Sequence, residues 1–94
     1  MKRNAVLATA GELINGDRAD DYGSAYANHM RIAQIWSALI DVELSPEQVA
    51  MMMIGLKLSR LANSPDKIDS WVDICGYGAL GGEMSNETKN IRNS

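Results

Sequence analysis

The chain has 94 residues, of which 46% are hydrophobic and 22% are charged. These values allow a single globular domain with a modest core and exclude a disordered or collagen-like chain. Nine Lys and Arg against twelve Asp and Glu give a net charge of −3, which argues against nucleic acid or a membrane as partner, because both favour a basic surface. The lone Cys75 excludes an intrachain disulfide and predicts a reduced, cytoplasmic setting.

Four helices are predicted, separated by loops short enough for antiparallel neighbours. Apolar residues at i, i+3 and i+4 spacing predict the first over Asn4–Ile14, and the following Asn15-Gly16 is a typical stop signal. Ser24 is expected to cap the second helix, over Ala25–Ile40. The wide apolar face of this second helix predicts that it packs against two neighbours.

The third helix has the clearest start signal, because Ser45 and Gln48 fit a capping box around Pro46. It is expected to end near Leu61 and is apolar nearly all round until Lys57. Such a helix is typical of the middle of a bundle or of a subunit interface.

The fourth helix is predicted over Asp66–Leu80, with its glycines tolerated where another helix packs closely. Residues 1–84 are therefore expected to form an all-α, antiparallel four-helix bundle-like protomer that oligomerisation completes. Residues 85–94 are polar, and we expect them to form a flexible tail.

An acidic strip on the fourth helix is the most informative feature. Asp66, Asp69 and Asp73 follow i, i+3, i+7 spacing, with Ser70 and Tyr77 on the same side. Aligned carboxylates could hold Mg²⁺ while a substrate phosphate fills the remaining ligand positions. They could equally form a solvated helix face, and the spacing leaves both interpretations open.

Lys57 and Arg60 lie one turn apart on the third helix. In an antiparallel hairpin joined at Asn63-Ser64, they would lie near the aspartates of the fourth helix. They could pair with those aspartates and fix the register of the hairpin. Alternatively, they could bind phosphate, with Arg60 contacting two of its oxygens.

Two further features carry weaker signals. The linker that contains Arg18 and Tyr22 could stack a nucleobase and contact a phosphate, although a surface turn is the simpler interpretation. His29 is expected to be a packing residue, because no second histidine exists to complete a zinc site. No P-loop, dinucleotide fingerprint or serine elbow is present.

Residues spread over about Val6–Glu83 form a pattern that resembles the pattern of a small family of phage and prophage proteins. These residues are Arg18, Tyr22, Gly23, Asn28, Ala33, Trp36, Met52, Leu56, Lys57, Arg60, Leu61, Asp69, Ser70, Asp73, Gly76 and Tyr77. The order Asp-Tyr-Gly, Lys-x-x-Arg and acid-Ser-x-x-Asp-x-x-x-Tyr also resembles the phage nucleotide-modification-associated domain. Both look like distant members of the all-α nucleoside triphosphate pyrophosphohydrolases, the MazG and dimeric dUTPase group.

This resemblance implies a Mg²⁺-dependent enzyme that converts an NTP or dNTP to a monophosphate and pyrophosphate. It implies Asp69 and Asp73 as catalytic metal ligands, with Glu12, or Asp21 from the linker, completing the set. The implied substrate-binding residues are Lys57, Arg60, Arg18, Tyr22, Asn28 and Tyr77. The pyrophosphohydrolases carry Glu-Glu-x-x-Glu and Glu-x-x-Asp motifs, whereas this chain has Glu12 alone early and Asp69 with Asp73 at i, i+4.

A non-catalytic phage protein is the alternative, one that binds a host protein or a nucleotide on a degenerate MazG-like fold. Its acidic surface could then imitate nucleic acid. In either case the apolar third helix predicts a homodimer or homotetramer, located in the cytoplasm of the host bacterium.

Overall fold

The computed structural model of the protein describes residues 1–16 and 25–92. The helices there are α1 (Arg3–Asn15), α2 (Ala25–Ile40), α3 (Pro46–Asn63) and α4 (Ile68–Arg92). No strand occurs in these two segments, which confirms the all-α prediction. α4 contacts each of the other three helices and packs most extensively on α3, while α2 also packs on α3. α4 rather than α3 is therefore the central helix of the described protomer.

Small aliphatic side chains fill the core where the helices meet. The buried apolar residues are Ala10, Ala33, Val49, Ala50, Leu61, Val72 and Met84. A Cβ added at Gly81 would lie 3.3 Å from the Cβ of Ala50, and one at Gly76 would lie 3.3 Å from Cγ2 of Ile14. These two glycines therefore allow α3 and α1 to approach α4 closely, as the sequence predicted.

The start of α3 confirms the predicted capping box. The Gln48 amide N–H donates to Ser45 Oγ at 3.3 Å, and the Ser45 amide N–H donates to Gln48 Oε1 at 2.9 Å. A side chain also holds the loop between α2 and α3 on its other side. Ser37 Oγ, near the end of α2, accepts a hydrogen bond from the Leu44 amide N–H at 2.9 Å. Asp41 adopts a left-handed backbone conformation there, with φ of 57°, which is a common way to end a helix.

α4 differs from its prediction at both ends. It begins at Ile68, so Asp66 lies in the preceding turn. It continues to Arg92, so the expected end near Leu80 is wrong, and the polar segment from Ser85 continues the helix where a frayed tail was expected. Contacts distant in sequence explain the extension, because Thr88 Oγ1 donates to Glu47 Oε2 at 2.9 Å.

Each described helix is too short or too polar to cross a membrane. The longest, α4, contains charged residues along its length.

Candidate functional site

The turn between α3 and α4 brings the end of one helix beside the start of the next. The Ser64 amide N–H donates to the Arg60 carbonyl at 2.9 Å and closes α3. The Lys67 amide N–H donates to the Ser64 carbonyl at 3.1 Å, and the Ser70 amide N–H donates to the Lys67 carbonyl at 3.2 Å. The indole Nε1–H of Trp71 donates to the Pro65 carbonyl at 2.9 Å. These bonds fix the turn on which the candidate site is built.

A pocket of about 230 Å³ lies at this turn. Its lining consists of Arg60, Asn63, Ser64, Lys67, Asp69, Ser70 and Asp73. The structure therefore brings together three of the predicted site residues, Arg60, Asp69 and Asp73. Lys67 was missed by the sequence analysis, although its place in the hairpin turn beside Asp69 is a signal that could have found it.

Lys57 and Asp73 form an ion pair between α3 and α4. Lys57 Nζ lies 2.9 Å from Asp73 Oδ2, and the two side chains are 13% and 32% exposed. This contact confirms the prediction that Lys57 lies near the aspartates of the fourth helix. It also engages one of the two carboxylates that the resemblance assigns to a metal.

The pocket and this ion pair together have a net charge of +1, since Lys57, Arg60 and Lys67 outnumber Asp69 and Asp73. Asp73 is already paired with Lys57, and among the side chains that the structure describes Arg60 and Lys67 have no carboxylate partner. The N-terminus of α4 adds positive potential beside them. This end of the hairpin therefore suits an anion with several oxygens.

The carboxylates of the described residues do not fit a resident Mg²⁺ site of the implied kind. Within residues 1–16 and 25–92, no three Asp, Glu, His or Cys side chains are grouped so that they could hold a metal ion. Glu12 is exposed on α1 and does not assemble with Asp69 and Asp73, and Asp73 is paired with Lys57. Asp21 lies outside the described residues. We therefore assign no chemical step to a metal.

The remaining predicted binding residues lie elsewhere. Asn28 and Tyr77 are half-buried and do not line the pocket. The Tyr77 ring contacts the ring of His29 edge to face, with centroids 6.4 Å apart and planes at 71°. Arg18 and Tyr22 lie outside the described residues, so their roles stay predictions.

His29 is a buried packing residue, as expected, with 5% of its surface exposed. Its Nδ1 lies 2.9 Å from the Ala25 carbonyl oxygen. A carbonyl oxygen is an acceptor, so Nδ1 carries the proton in this bond. The bond and the contact with Tyr77 position the histidine within the helix packing.

Two phage proteins are similar to this chain. The gene 55 protein of Mycobacterium phage L5 is 49% identical over 77 residues, which cover 81% of this chain and 49% of that protein. The gene 55 protein of Mycobacterium phage D29 is 34% identical over 73 residues, which cover 78% of this chain and 48% of that protein. This chain thus spans about half the length of these relatives.

No solved structure matches the chain. The predicted resemblance to phage proteins is confirmed by the two relatives, while the likeness to the pyrophosphohydrolases stays a prediction. A family described as a domain of unknown function, DUF6378, matches residues 5–85. The chain belongs to this family.

Proposed function

We propose that this chain binds a nucleotide in the host cytoplasm, through the phosphate groups of the ligand and in the pocket between α3 and α4. The observation that carries the proposal is the pair of cations, Arg60 and Lys67, that line one pocket without a carboxylate partner among the described residues. Two unpaired cations beside a helix N-terminus attract phosphate oxygens.

The chemistry of the pocket favours a nucleotide over a simple anion. Arg60 has a planar fork that matches two phosphate oxygens, and Lys67 supplies a compact charge. Asp69 lines the same pocket and would repel phosphate, but its oxygens accept hydrogen bonds from hydroxyl groups. A ligand with both phosphates and sugar hydroxyls satisfies both kinds of group, and the resemblance to nucleotide-handling phage domains supports the same class.

The experiment is a calorimetric titration of the purified chain with the common NTPs and dNTPs and with inorganic pyrophosphate. We expect a nucleoside triphosphate to bind more tightly than pyrophosphate. Arg60→Gln and Lys67→Gln should each weaken binding by about 5- to 10-fold, the value of one charge-assisted hydrogen bond at an exposed site.

Arg31→Gln and Lys89→Gln are matched controls, because both residues are exposed and neither lines the pocket. They should leave the affinity unchanged. Equal weakening by the controls would show that binding follows net charge alone, and no binding by any nucleotide would refute the proposal.

We also propose pyrophosphohydrolysis as a second candidate function, because Asp69 has no partner among the described residues and lies beside the two cations. One carboxylate thus stays available next to a bound phosphate chain. The test is a chromatographic assay for monophosphate and pyrophosphate, run with Mg²⁺ on the wild-type chain and on Asp69→Asn. Hydrolysis that persists in Asp69→Asn would contradict this assignment. A wild-type chain that binds nucleotide without hydrolysing it would refute pyrophosphohydrolysis and support nucleotide binding.

A further inference from the structure

Ser70 is the most deeply buried of the residues that line the pocket between α3 and α4. Only 3% of its surface is exposed, whereas the other lining residues are exposed or half-buried. Ser70 therefore lies at the bottom of the pocket, and the exposed side chains of Arg60, Lys67 and Asp69 lie around its mouth.

The hydroxyl of Ser70 has no hydrogen-bond partner among the described residues, although its amide N–H donates to the Lys67 carbonyl. In the part of the chain that the structure describes, every side-chain nitrogen or oxygen that is sealed inside the fold has a partner. The Ser70 oxygen is therefore not sealed, and the space open to it is the pocket that Ser70 lines. An unpaired hydroxyl on a residue this deeply buried is unusual, and it points to a ligand group that pairs with it.

The surroundings of this hydroxyl favour an anion. Lys57 and Asp73 pair across the hairpin, and Arg60 and Ser70 each lie three residues nearer to the turn on the same helix faces. Arg60 is therefore level with Ser70 across the pocket that both residues line. Ser70 also lies in the first turn of α4, which begins at Ile68, and the start of a helix attracts phosphate.

We infer that the Ser70 hydroxyl donates a hydrogen bond to a phosphate oxygen of the ligand, and that the phosphate chain enters the pocket first. The inference rests on the proposed nucleotide binding. A phosphate group accepts from a hydroxyl and from a guanidinium at once, so it satisfies Ser70 and Arg60 together. The pocket volume of about 230 Å³ is below the roughly 300–1,000 Å³ of sites that enclose a whole small-molecule ligand, so the nucleoside lies outside.

The reverse orientation, with the sugar at the bottom of the pocket, fits the charges less well. Asp69 is the carboxylate available to sugar hydroxyls, and it is exposed at the mouth. A sugar beside Ser70 would leave Arg60 facing a neutral group and would bring the phosphates close to Asp69. With phosphate at Ser70 and sugar at Asp69, each side chain faces a ligand group of suitable charge.

The test is a calorimetric titration with two ligands, inorganic triphosphate and the nucleoside triphosphate that binds most tightly. Inorganic triphosphate contains no sugar, so it separates a bond to phosphate from a bond to a sugar hydroxyl. Ser70→Ala removes the hydroxyl, and Ser70→Cys replaces it with a weaker donor. Ser85→Ala is the matched control, because Ser85 is exposed on α4 and does not line the pocket. Circular dichroism establishes that each variant is helical.

We expect Ser70→Ala to weaken the binding of both ligands by about 10-fold, near the lower value for a hydrogen bond to a charged group. Ser70→Cys should act in the same direction, and it decides if Ser70→Ala fails to fold. Ser85→Ala should leave both affinities unchanged.

Two results would overturn the inference and leave nucleotide binding supported. The first is unchanged affinity for both ligands in the folded Ser70 variants, while Arg60→Gln still weakens binding. The second is a loss confined to the nucleotide, or a wild-type chain that binds the nucleotide and not inorganic triphosphate, since either would place the sugar at Ser70. A wild-type chain that binds neither ligand would refute the inference together with the proposed function.

Discussion

Breaking the Lys57–Asp73 ion pair should have unequal effects, depending on which partner is removed. Asp73→Ala leaves the ammonium of Lys57, which is 13% exposed, without its partner at 2.9 Å. An uncompensated charge at a largely buried position should lower the free energy of unfolding by about 2 kcal/mol. Lys57→Met keeps the packed stem and leaves Asp73, which is 32% exposed, able to reach water. Lys57→Met should therefore lower the free energy of unfolding by only about 0.5–1 kcal/mol.

The double variant, Lys57→Met with Asp73→Ala, should cost about 1 kcal/mol, because no unpaired charge remains. The coupling energy between the two positions is then about 1.5–2 kcal/mol. Urea unfolding followed by circular dichroism measures these values at a fixed protein concentration, since self-association would shift the midpoint. In thermal unfolding, Asp73→Ala should lower the Tm by about 8–16 °C.

Lys89→Met and Glu83→Ala are the controls, because both side chains are exposed on α4 and should shift stability by less than about 0.5 kcal/mol. Equal costs for the two single variants of the pair would refute the reasoning. A double variant whose cost equals the sum of the single costs would refute it as well.

Three further predictions concern the helix ends and the close approach of α3 to α4. Ser45→Ala removes the cap of α3 and should cost about 1 kcal/mol in urea unfolding, whereas an unchanged midpoint would contradict a role for the observed capping box. Thr88→Val removes the hydrogen bond to Glu47 and should speed amide exchange in residues 85–92, with exchange elsewhere unchanged. Gly81→Leu should cost about 1–3 kcal/mol, because a Cβ at Gly81 already lies 3.3 Å from Ala50. Gly82→Ala, at an open position, should be neutral or stabilising by up to about 1 kcal/mol. A greater loss of stability in Gly82→Ala than in Gly81→Leu would show that α3 and α4 do not meet as described.

Local signals predicted the start of α3 and the end of α2. The capping box at Ser45 and the proline that follows it depend on residues within one turn, so the sequence alone specifies them. The end of α2 at Ile40 also agrees with the prediction, whereas the predicted cap, Ser24, lies outside the described residues. Lys57 was correctly placed near Asp73 because a short turn forces adjacent helices to pack antiparallel.

Contacts between residues distant in sequence explain what the sequence analysis missed. The end of α4 depends on the burial of Met84 and on the bond from Thr88 to Glu47, which no local pattern reveals. Gly78 and Gly82 have open space, unlike Gly76 and Gly81, and the sequence does not separate the two pairs. The pocket required the geometry of the turn, because Asn63 and Ser64 look like helix-ending residues and no more.

The most direct test of nucleotide binding is an NMR titration that locates the bound ligand on the chain. A ¹⁵N-labelled sample is titrated with the nucleoside triphosphate that binds most tightly, and amide shifts are followed. We predict that the largest shifts fall on residues 60–73, around the α3–α4 turn, and are greatly reduced in Arg60→Gln. Shifts concentrated on α1, or undiminished around the turn in Arg60→Gln, would contradict the assignment of the pocket.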